Sequence, residues 1–206
     1  MKVLMVNGSP HTNGNTAIAL REMEKVFAQE GVETELLQIG SQAIRGCVSC
    51  NWCGQHGKCV FDDAVNEAAK AFEECDGLVI GSPVYYASAN ATLVAFLTRL
   101  FYSTHFDKTM KVGAAVVAAR RGGLSATFDE LNKFFTISGM PVASSQYWNS
   151  IHGRAPGEAE QDAEGLQVMR NLGRNMAWLL KCLEAGRNTG VAVPVNEYDN
   201  KTNFIR

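Results

Sequence analysis

The sequence lacks any long hydrophobic run. No apolar stretch in its 206 residues approaches the roughly 18 residues that a membrane-spanning helix needs. The N-terminus also lacks the layout of a secretory signal peptide, in which a charged segment precedes an apolar segment and a cleavage site. These absences predict a cytoplasmic protein that does not act in a membrane.

A large excess of one charge is also missing. The chain has 19 Lys and Arg against 21 Asp and Glu, a formal net charge of -2. Domains that bind nucleic acid usually carry a marked positive excess, so the composition argues against a nucleic-acid partner. Cysteine, by contrast, is not scarce, since the chain has six. In a reducing compartment cysteines are more often metal ligands, redox groups or core thiols than disulfides.

Apolar strand-like runs alternate with helical patterns along the chain. The predicted strands are 1–6, 32–39, 77–80, 110–119 and 142–148, and the predicted helices are 16–30, 62–74, 91–103, 124–137 and 158–184. This alternation predicts an α/β three-layer sandwich around a five-stranded parallel sheet of flavodoxin-like order 2-1-3-4-5. The predicted domain spans 1–184, with a cysteine-rich insertion at 41–60 and a C-terminal tail at 185–206.

The polar turn at 7–16 lies between the first strand and the first helix. A helix start presents unpaired N–H groups and the positive end of the peptide dipole, and therefore favours an anion. The turn has neither Gly-x-Gly-x-x-Gly nor Gly-Lys-Ser/Thr, which disfavours dinucleotide and nucleoside triphosphate sites. It also contains no lysine or arginine, which suits a monophosphate. An ordinary capped turn would have a similar composition, and this alternative stays open. The candidate phosphate-binding residues are Ser9, His11, Asn13, Asn15 and Thr16.

Two further loops follow predicted strands and should meet the first at the carboxyl edge of the sheet. Aromatic rings in one loop are suited to stack on a flat ligand, and donors in the other are suited to the pyrimidine side of a flavin. The alternatives are aromatic packing against the next helix and a solvated arginine turn. The candidate residues are Pro83, Val84, Tyr85 and Tyr86 in one loop and Arg120, Gly122 and Gly123 in the other.

Four cysteines form the sharpest local motif, Cys-x-x-Cys-x-x-Cys followed by a fourth after five residues. They are Cys47, Cys50, Cys53 and Cys59. Four thiolates match a tetrahedral zinc ion or an iron–sulfur cluster, and the compact spacing favours the cluster. Four thiols without a metal are the third possibility. Cys75 and Cys182 lie in predicted helices among apolar neighbours and are expected in the core.

Together these motifs resemble the NADPH-dependent FMN reductase family of the flavodoxin-like fold, and most closely its iron–sulfur flavoprotein branch. The resemblance extends from residue 1 to about 184. It depends on Gly8-Ser9-Pro10 with Gly14-Asn15-Thr16, on the cysteine spacing followed by Asp62-Asp63, and on Pro83-Val84-Tyr85 with Phe96 and Arg99. One departure is His11, where the family often has arginine.

The resemblance implies noncovalently bound FMN. Its phosphate would lie at Ser9, Asn15 and Thr16, and its isoalloxazine ring at 83–86 and 120–123. The helix that carries Arg99 would lie at a homodimer or homotetramer interface near the flavin.

The implied activity is that of an FMN-dependent oxidoreductase. NAD(P)H or a reduced ferredoxin would supply electrons, directly or through a [4Fe–4S] cluster, to a quinone, nitro compound, flavin or protein acceptor. No catalytic side chain is predicted, because the flavin supplies the chemistry. The alternatives are a flavodoxin-like electron carrier without pyridine-nucleotide turnover and a zinc-stabilised interaction domain. The tail, with Tyr198, Phe204 and Ile205, is expected either to be disordered or to dock on a neighbouring subunit.

Overall fold

The structure is a computed structural model that describes residues 1–202 and 204. Ile205, one of the three tail residues named above, therefore lies outside the described residues. The strands are β1 (Lys2–Asn7), β2 (Glu33–Gln38), β3 (Gly77–Tyr85), β4 (Ser88–Ala89), β5 (Val112–Ala119) and β6 (Ser150–His152). The helices are α1 (Asn15–Gln29), α2 (Trp52–His56), α3 (Ala64–Glu74), α4 (Ala91–Ser103), α5 (Leu124–Thr136) and α6 (Ala163–Asn188), with a 3₁₀ turn at Glu158–Gln161.

The strands form one sheet in the order β2-β1-β3-β5-β6. All neighbours along this path are parallel, and the two-residue β4 pairs antiparallel with the end of β3. With β4 set aside, this is the predicted 2-1-3-4-5 order, and the flavodoxin-like prediction is confirmed.

Helices cover both faces of the sheet, because the strands bury apolar side chains on both sides. In β1, Val3 and Met5 pack with α1 and α6. Leu4 and Val6 point to the opposite face and pack with α3, α4 and α5. Alternation of side chains along a strand thus builds two separate cores around one sheet.

The fifth parallel strand lies later in the chain than predicted. Instead of 142–148, it occupies Ser150–His152, and Val142 makes only an isolated bridge to Gly113. Ser145 is the local cause, because its Oγ donates to the Tyr147 carbonyl at 2.7 Å and accepts from the Tyr147 N–H at 3.3 Å, closing a turn. Such side-chain bonds compete with a strand ladder.

The two cysteines predicted in the core differ. Cys75 is buried, and this burial raises the pKa of its thiol to about 11. Cys182 is exposed, so the core prediction is wrong there. It lies on the outer face of α6, whose inner face buries Met176, Ala177 and Leu180.

The carboxyl ends of the parallel strands place the chain's unusual loops along one edge of the sheet. The turn after β1, the cysteine loop after β2, the hairpin at the end of β3 and the loops after β5 and β6 all lie at this edge. Ligands of open parallel sheets bind at such an edge, which directs attention to these loops. None of the helices in residues 1–202 combines the length and apolar character that a bilayer crossing requires.

Candidate functional site

A cleft of about 270 Å³ opens at this edge, beside the ends of β1, β3 and β5. It brings together eight of the residues predicted from sequence: Ser9, His11, Asn15, Thr16, Pro83, Val84, Tyr85 and Arg120. The rest of the wall consists of Gly14, which lies in the predicted turn, and of residues that were not predicted: Ala118, Ala119, Gly153, Arg154 and Pro156.

Four predicted residues do not line the cleft. The Asn13 carboxamide oxygen accepts a hydrogen bond from Arg21 at 2.5 Å on the outer side of the turn. Tyr86 is fully exposed at the tip of the β3–β4 hairpin. Gly122 borders open space, and Gly123 lies against Ala87 of that hairpin.

The N-terminus of α1 is the anion-attracting element of the cleft. Its N-cap residue is Gly14, which provides no side-chain cap, and no acidic residue lies in the first turn. Thr16 and Ser9 are almost completely buried beside it. Ser9 Oγ accepts the His11 N–H at 3.1 Å and keeps its own hydroxyl proton available for donation. Backbone N–H groups, hydroxyls and the helix dipole therefore converge on one point.

Asn15, which lines the cleft as predicted, also bonds to a distant segment of the chain. Its amide nitrogen donates to the Ala155 carbonyl at 3.1 Å, and its oxygen accepts the Ala159 N–H at 3.1 Å. Both polar atoms are thus engaged by the segment that follows β6. Asn15 fastens that segment against the start of α1.

This fastening brings a second cation to the cleft, Arg154, in addition to the predicted Arg120. Both side chains are exposed, and within residues 1–202 neither forms an ion pair. Backbone N–H donation from Arg154 and Ala155 lowers the pKa of Glu158, and the charges of Arg154 and Arg120 lower it further. The rim of the cleft therefore carries two arginines beside the Glu158 carboxylate.

Arg154 was missed because the last strand was placed too early. With that strand at Ser150–His152, the Gly153-Arg154-Ala155-Pro156-Gly157 turn follows its carboxyl end. A turn at that position belongs to the ligand edge of a parallel sheet.

The β3–β4 hairpin presents one aromatic ring to the cleft. Tyr86 and Ala87 have φ of 50° and 60°, as the two central residues of a type I′ hairpin turn require. Glu130 holds the returning strand by accepting from Ser88 Oγ at 2.8 Å and from the Ala89 N–H at 2.9 Å. Tyr85 remains on the cleft side, 45% exposed, and burial raises the pKa of its phenol.

A buried asparagine that the sequence analysis did not single out ties these loops together. Asn90 Nδ2 donates to the Gly8 carbonyl at 2.6 Å, and its backbone N–H donates to Ser82 Oγ at 3.0 Å. Its side-chain oxygen also caps α4 by accepting from the Thr92 N–H at 3.1 Å. The first turn and the end of β3 are thereby fixed relative to each other.

A second cavity, of about 420 Å³, is formed by the cysteine loop and α4. All four cysteines of the motif line it; Cys47 and Cys50 are exposed, whereas Cys53 and Cys59 are half-buried. Ser49 and Asn51 have φ of 54° and 59°, which coils the loop around the cavity. Trp52 stacks on the exposed His56 with ring centroids 3.6 Å apart.

All four thiols line one cavity, but they are not drawn together around one point. Within residues 1–202, no three His, Cys, Asp or Glu side chains are grouped to hold one metal ion. Tetrahedral zinc, with Zn–S bonds of about 2.3 Å, would need thiolates about 3.8 Å apart. A [4Fe–4S] cluster would take one thiolate on each of four irons, and the four cysteines lining the cavity supply that number of ligands.

The sequence model of the NADPH-dependent FMN reductases matches residues 1–154. The chain belongs to the NADPH-dependent FMN reductase family. The family is one of FMN-dependent oxidoreductases, which is consistent with an anion-attracting helix start beside an aromatic ring.

Similar proteins carry the name iron–sulfur flavoprotein. One from Methanocaldococcus jannaschii is 36% identical over 192 residues, covering 89% of this chain and 100% of that protein. Another, from Methanosarcina thermophila, is 27% identical over 192 residues, covering 91% of this chain and 100% of that protein.

Solved structures show the same fold at lower identity. The NAD(P)H:quinone oxidoreductase of Methanothermobacter marburgensis has a TM-score of 0.64 at 16% identity, covering 85% of this chain and 94% of that one. An archaeal flavodoxin has a TM-score of 0.58 at 16% identity, and the match covers 88% of this chain and 99% of the flavodoxin. At these identities the likeness establishes the flavodoxin-like fold alone.

Proposed function

We propose that this chain is a cytoplasmic FMN-dependent oxidoreductase that passes electrons from NAD(P)H or a reduced ferredoxin to a quinone, nitro compound, flavin or protein acceptor. The observation that carries the proposal is the uncapped N-terminus of α1, which opens into a cleft with two arginines and an aromatic ring on its walls. Membership of the family supports FMN as the group that this cleft receives.

The residues present fit FMN. The N–H groups of α1, the hydroxyls of Ser9 and Thr16 and the guanidinium of Arg154 would hold its phosphate. Pro83, Val84 and Tyr85 would border the ring, with Arg120 as a cation at the cleft rim. When bound, FMN supplies hydride and single-electron transfer, and the protein supplies its position and electrostatic environment.

The four cysteines would hold a [4Fe–4S] cluster as a second redox group. The spacing of the motif, the shared cavity and the iron–sulfur flavoprotein names of similar proteins support this assignment. The proposed assembly is a homodimer or homotetramer. It is supported by two large exposed side chains, Tyr102 on α4 and Ile137 just after α5, beside an apolar groove.

Binding of FMN and of riboflavin, which lacks the phosphate, tests the assignment of the cleft. We expect Arg154→Gln to weaken FMN binding about tenfold or more, because a charge-assisted hydrogen bond contributes about 1.5–3 kcal/mol. Riboflavin affinity should change little. Fluorescence titration of the apoprotein measures both affinities. The control is Arg121→Gln, which removes the same charge from a residue outside the cleft. Failure of the wild-type protein to bind FMN would refute the proposal, and an equal loss for both flavins would refute the role of Arg154.

Steady-state turnover separates the oxidoreductase from an electron carrier. The FMN-loaded protein should oxidise NADH or NADPH continuously under anaerobic conditions when a quinone is added, or reduce the quinone with a chemically reduced ferredoxin. Reduction of FMN only by dithionite, with no turnover from any of the three donors, would instead identify a carrier.

A further inference from the structure

A buried arginine on α4 joins the cysteine loop to the core. Arg99 is 1% exposed and lies beside the fully buried apolar side chains of Phe96 and Leu100 on α4. Burying an isolated guanidinium is costly, so its partners decide whether the position is tolerated. Every N–H of Arg99 has an acceptor within 3.4 Å.

These acceptors lie at both ends of the cysteine loop. Nη1 donates to the Arg45 carbonyl at 3.3 Å, before the first cysteine. Nε and Nη2 each donate to Cys59 Sγ at 3.2 Å, at the last cysteine. One guanidinium therefore closes the loop and holds one of its four thiols directly.

The charge of Arg99 is balanced by Asp63. The two side chains form a bidentate pair, Nη1 to Oδ2 at 2.7 Å and Nη2 to Oδ1 at 2.9 Å. Burial alone would lower the pKa of Arg99, but the hydrogen bonds to Asp63 and Cys59 outweigh it and the pKa is raised. Because the pair is neutral overall, the action of Arg99 on Cys59 lies in two directed N–H groups, not in net charge.

We propose that Arg99 is a positioning residue that fixes Cys59 as the anchored ligand of the cysteine site and stabilises the reduced state of the centre bound there. This inference deepens the proposed function, since it depends on a cluster held by the four thiolates. When a thiolate-bound centre accepts one electron from an external reductant, its negative charge increases by one. Hydrogen bonds donated to the ligating sulfur favour the more negative state and raise the reduction potential.

The matched variants are Arg99→Lys and Arg45→Gln. Lysine keeps the positive charge, but its ammonium group lacks the planar set of N–H donors that contacts Cys59 Sγ and the Asp63 carboxylate at the same time. Arg45, whose guanidinium lies 4.6 Å from the centre of the Phe61 ring, is exposed at the same loop. Arg45→Gln removes a nearby positive charge and leaves both N–H···S contacts and the Arg45 carbonyl in place.

Two measurements are needed. Each protein is reconstituted anaerobically with iron and sulfide, and its reduction potential is determined by dithionite titration followed by electron paramagnetic resonance. Hydrogen–deuterium exchange of residues 45–63 is measured on cluster-free protein, where loss of the anchor should speed exchange about tenfold in Arg99→Lys. FMN affinity reports whether each variant has folded.

We expect a lower reduction potential and faster loop exchange in Arg99→Lys, and wild-type values in Arg45→Gln. An unchanged potential in Arg99→Lys, or an equal shift in Arg45→Gln, overturns the proposal. If the wild-type protein takes up no iron and sulfide, the cluster assignment itself is wrong and the reduced-state role with it. In that case the hydrogen–deuterium exchange of residues 45–63 still tests whether Arg99 anchors the loop. The anchoring role is refuted if this segment exchanges in Arg99→Lys at the wild-type rate.

Discussion

At the scale of single residues, one carboxylate connects the cysteine loop, α3 and α4. Asp63 pairs with the buried Arg99, and its Oδ1 also accepts the Val65 N–H at 3.1 Å, which caps α3. Removing one partner of a buried ion pair leaves the other charge uncompensated, which is more costly than the pair's net contribution.

We therefore expect Asp63→Asn to lower the free energy of unfolding of the cluster-free protein by about 3 kcal/mol. Urea unfolding followed by circular dichroism measures the change. Asp62→Asn is the control, because the neighbouring side chain is exposed and no ion pair involves it in residues 1–202. A loss within about 0.5 kcal/mol of the control would show that Arg99 finds other compensation.

The sequence could predict which residues are suited to bind an anion, but it could not predict the distant hydrogen-bond partners of those residues. A hydroxyl- and glycine-rich turn before a helix indicated an anion site because the helix start lies in the local sequence. Asn15 appeared to belong to that turn, yet its amide is engaged by Ala155 and Ala159, about 140 positions later. No local pattern carries information about a bond of that range.

At the scale of elements, the turn after β1 depends on close contact with the end of β2. A Cβ added to Gly40 would overlap the backbone of Gly8 and Ser9. The Gln38 side chain donates to the Ser9 carbonyl at 2.5 Å, so the two elements are joined at the position of the proposed phosphate site. Only a residue without a side chain allows this approach.

Gly40→Ala should displace the 8–10 backbone and lower stability by about 1–3 kcal/mol, the usual cost of forced overpacking. FMN affinity should fall as well, since Ser9 moves with that backbone. Gly46→Ala, where an added Cβ meets nothing within 4 Å, is the control. Thermal unfolding and FMN titration measure both effects, and a Gly40→Ala protein that matches Gly46→Ala in both would contradict the close-contact interpretation.

The long helices and the central strands were predicted well because their periodicity is continuous over many residues, whereas the five-residue α2 was not predicted. The last strand was not predicted well either, since its three residues carry too short a pattern. Its position is set by distant contacts, in which Asn149 donates from Nδ2 to the Ala115 carbonyl at 3.1 Å and accepts the Val117 N–H at 3.0 Å. The position of this edge strand is thus set by its hydrogen bonds to the neighbouring strand β5.

At the scale of the whole molecule, the α1 and α6 layer is held by ion pairs as well as by its apolar core. Glu22 on α1 accepts from Arg170 of α6 at 2.7 Å and from Lys25 at 2.8 Å. Burial would raise the pKa of Glu22, but these two hydrogen bonds outweigh it and the pKa is lowered from 4.5. The folded state therefore holds this carboxylate in its charged form more strongly than the unfolded chain does.

A lowered pKa in the folded state gives stability that is present above the unfolded value and is lost as the pH falls through the folded value. Glu22→Gln should accordingly cost about 1 kcal/mol at pH 7, as expected for a partly exposed network of this kind. The difference between this variant and the wild type should shrink as the pH falls below 4.5, the ordinary pKa of glutamate, and through the lower pKa of folded Glu22. Urea unfolding at pH 7, 5 and 3 measures it, with Glu24→Gln as the control on the same helix. A difference that stays constant across these pH values would mean that Glu22 acts through packing and not through its charge.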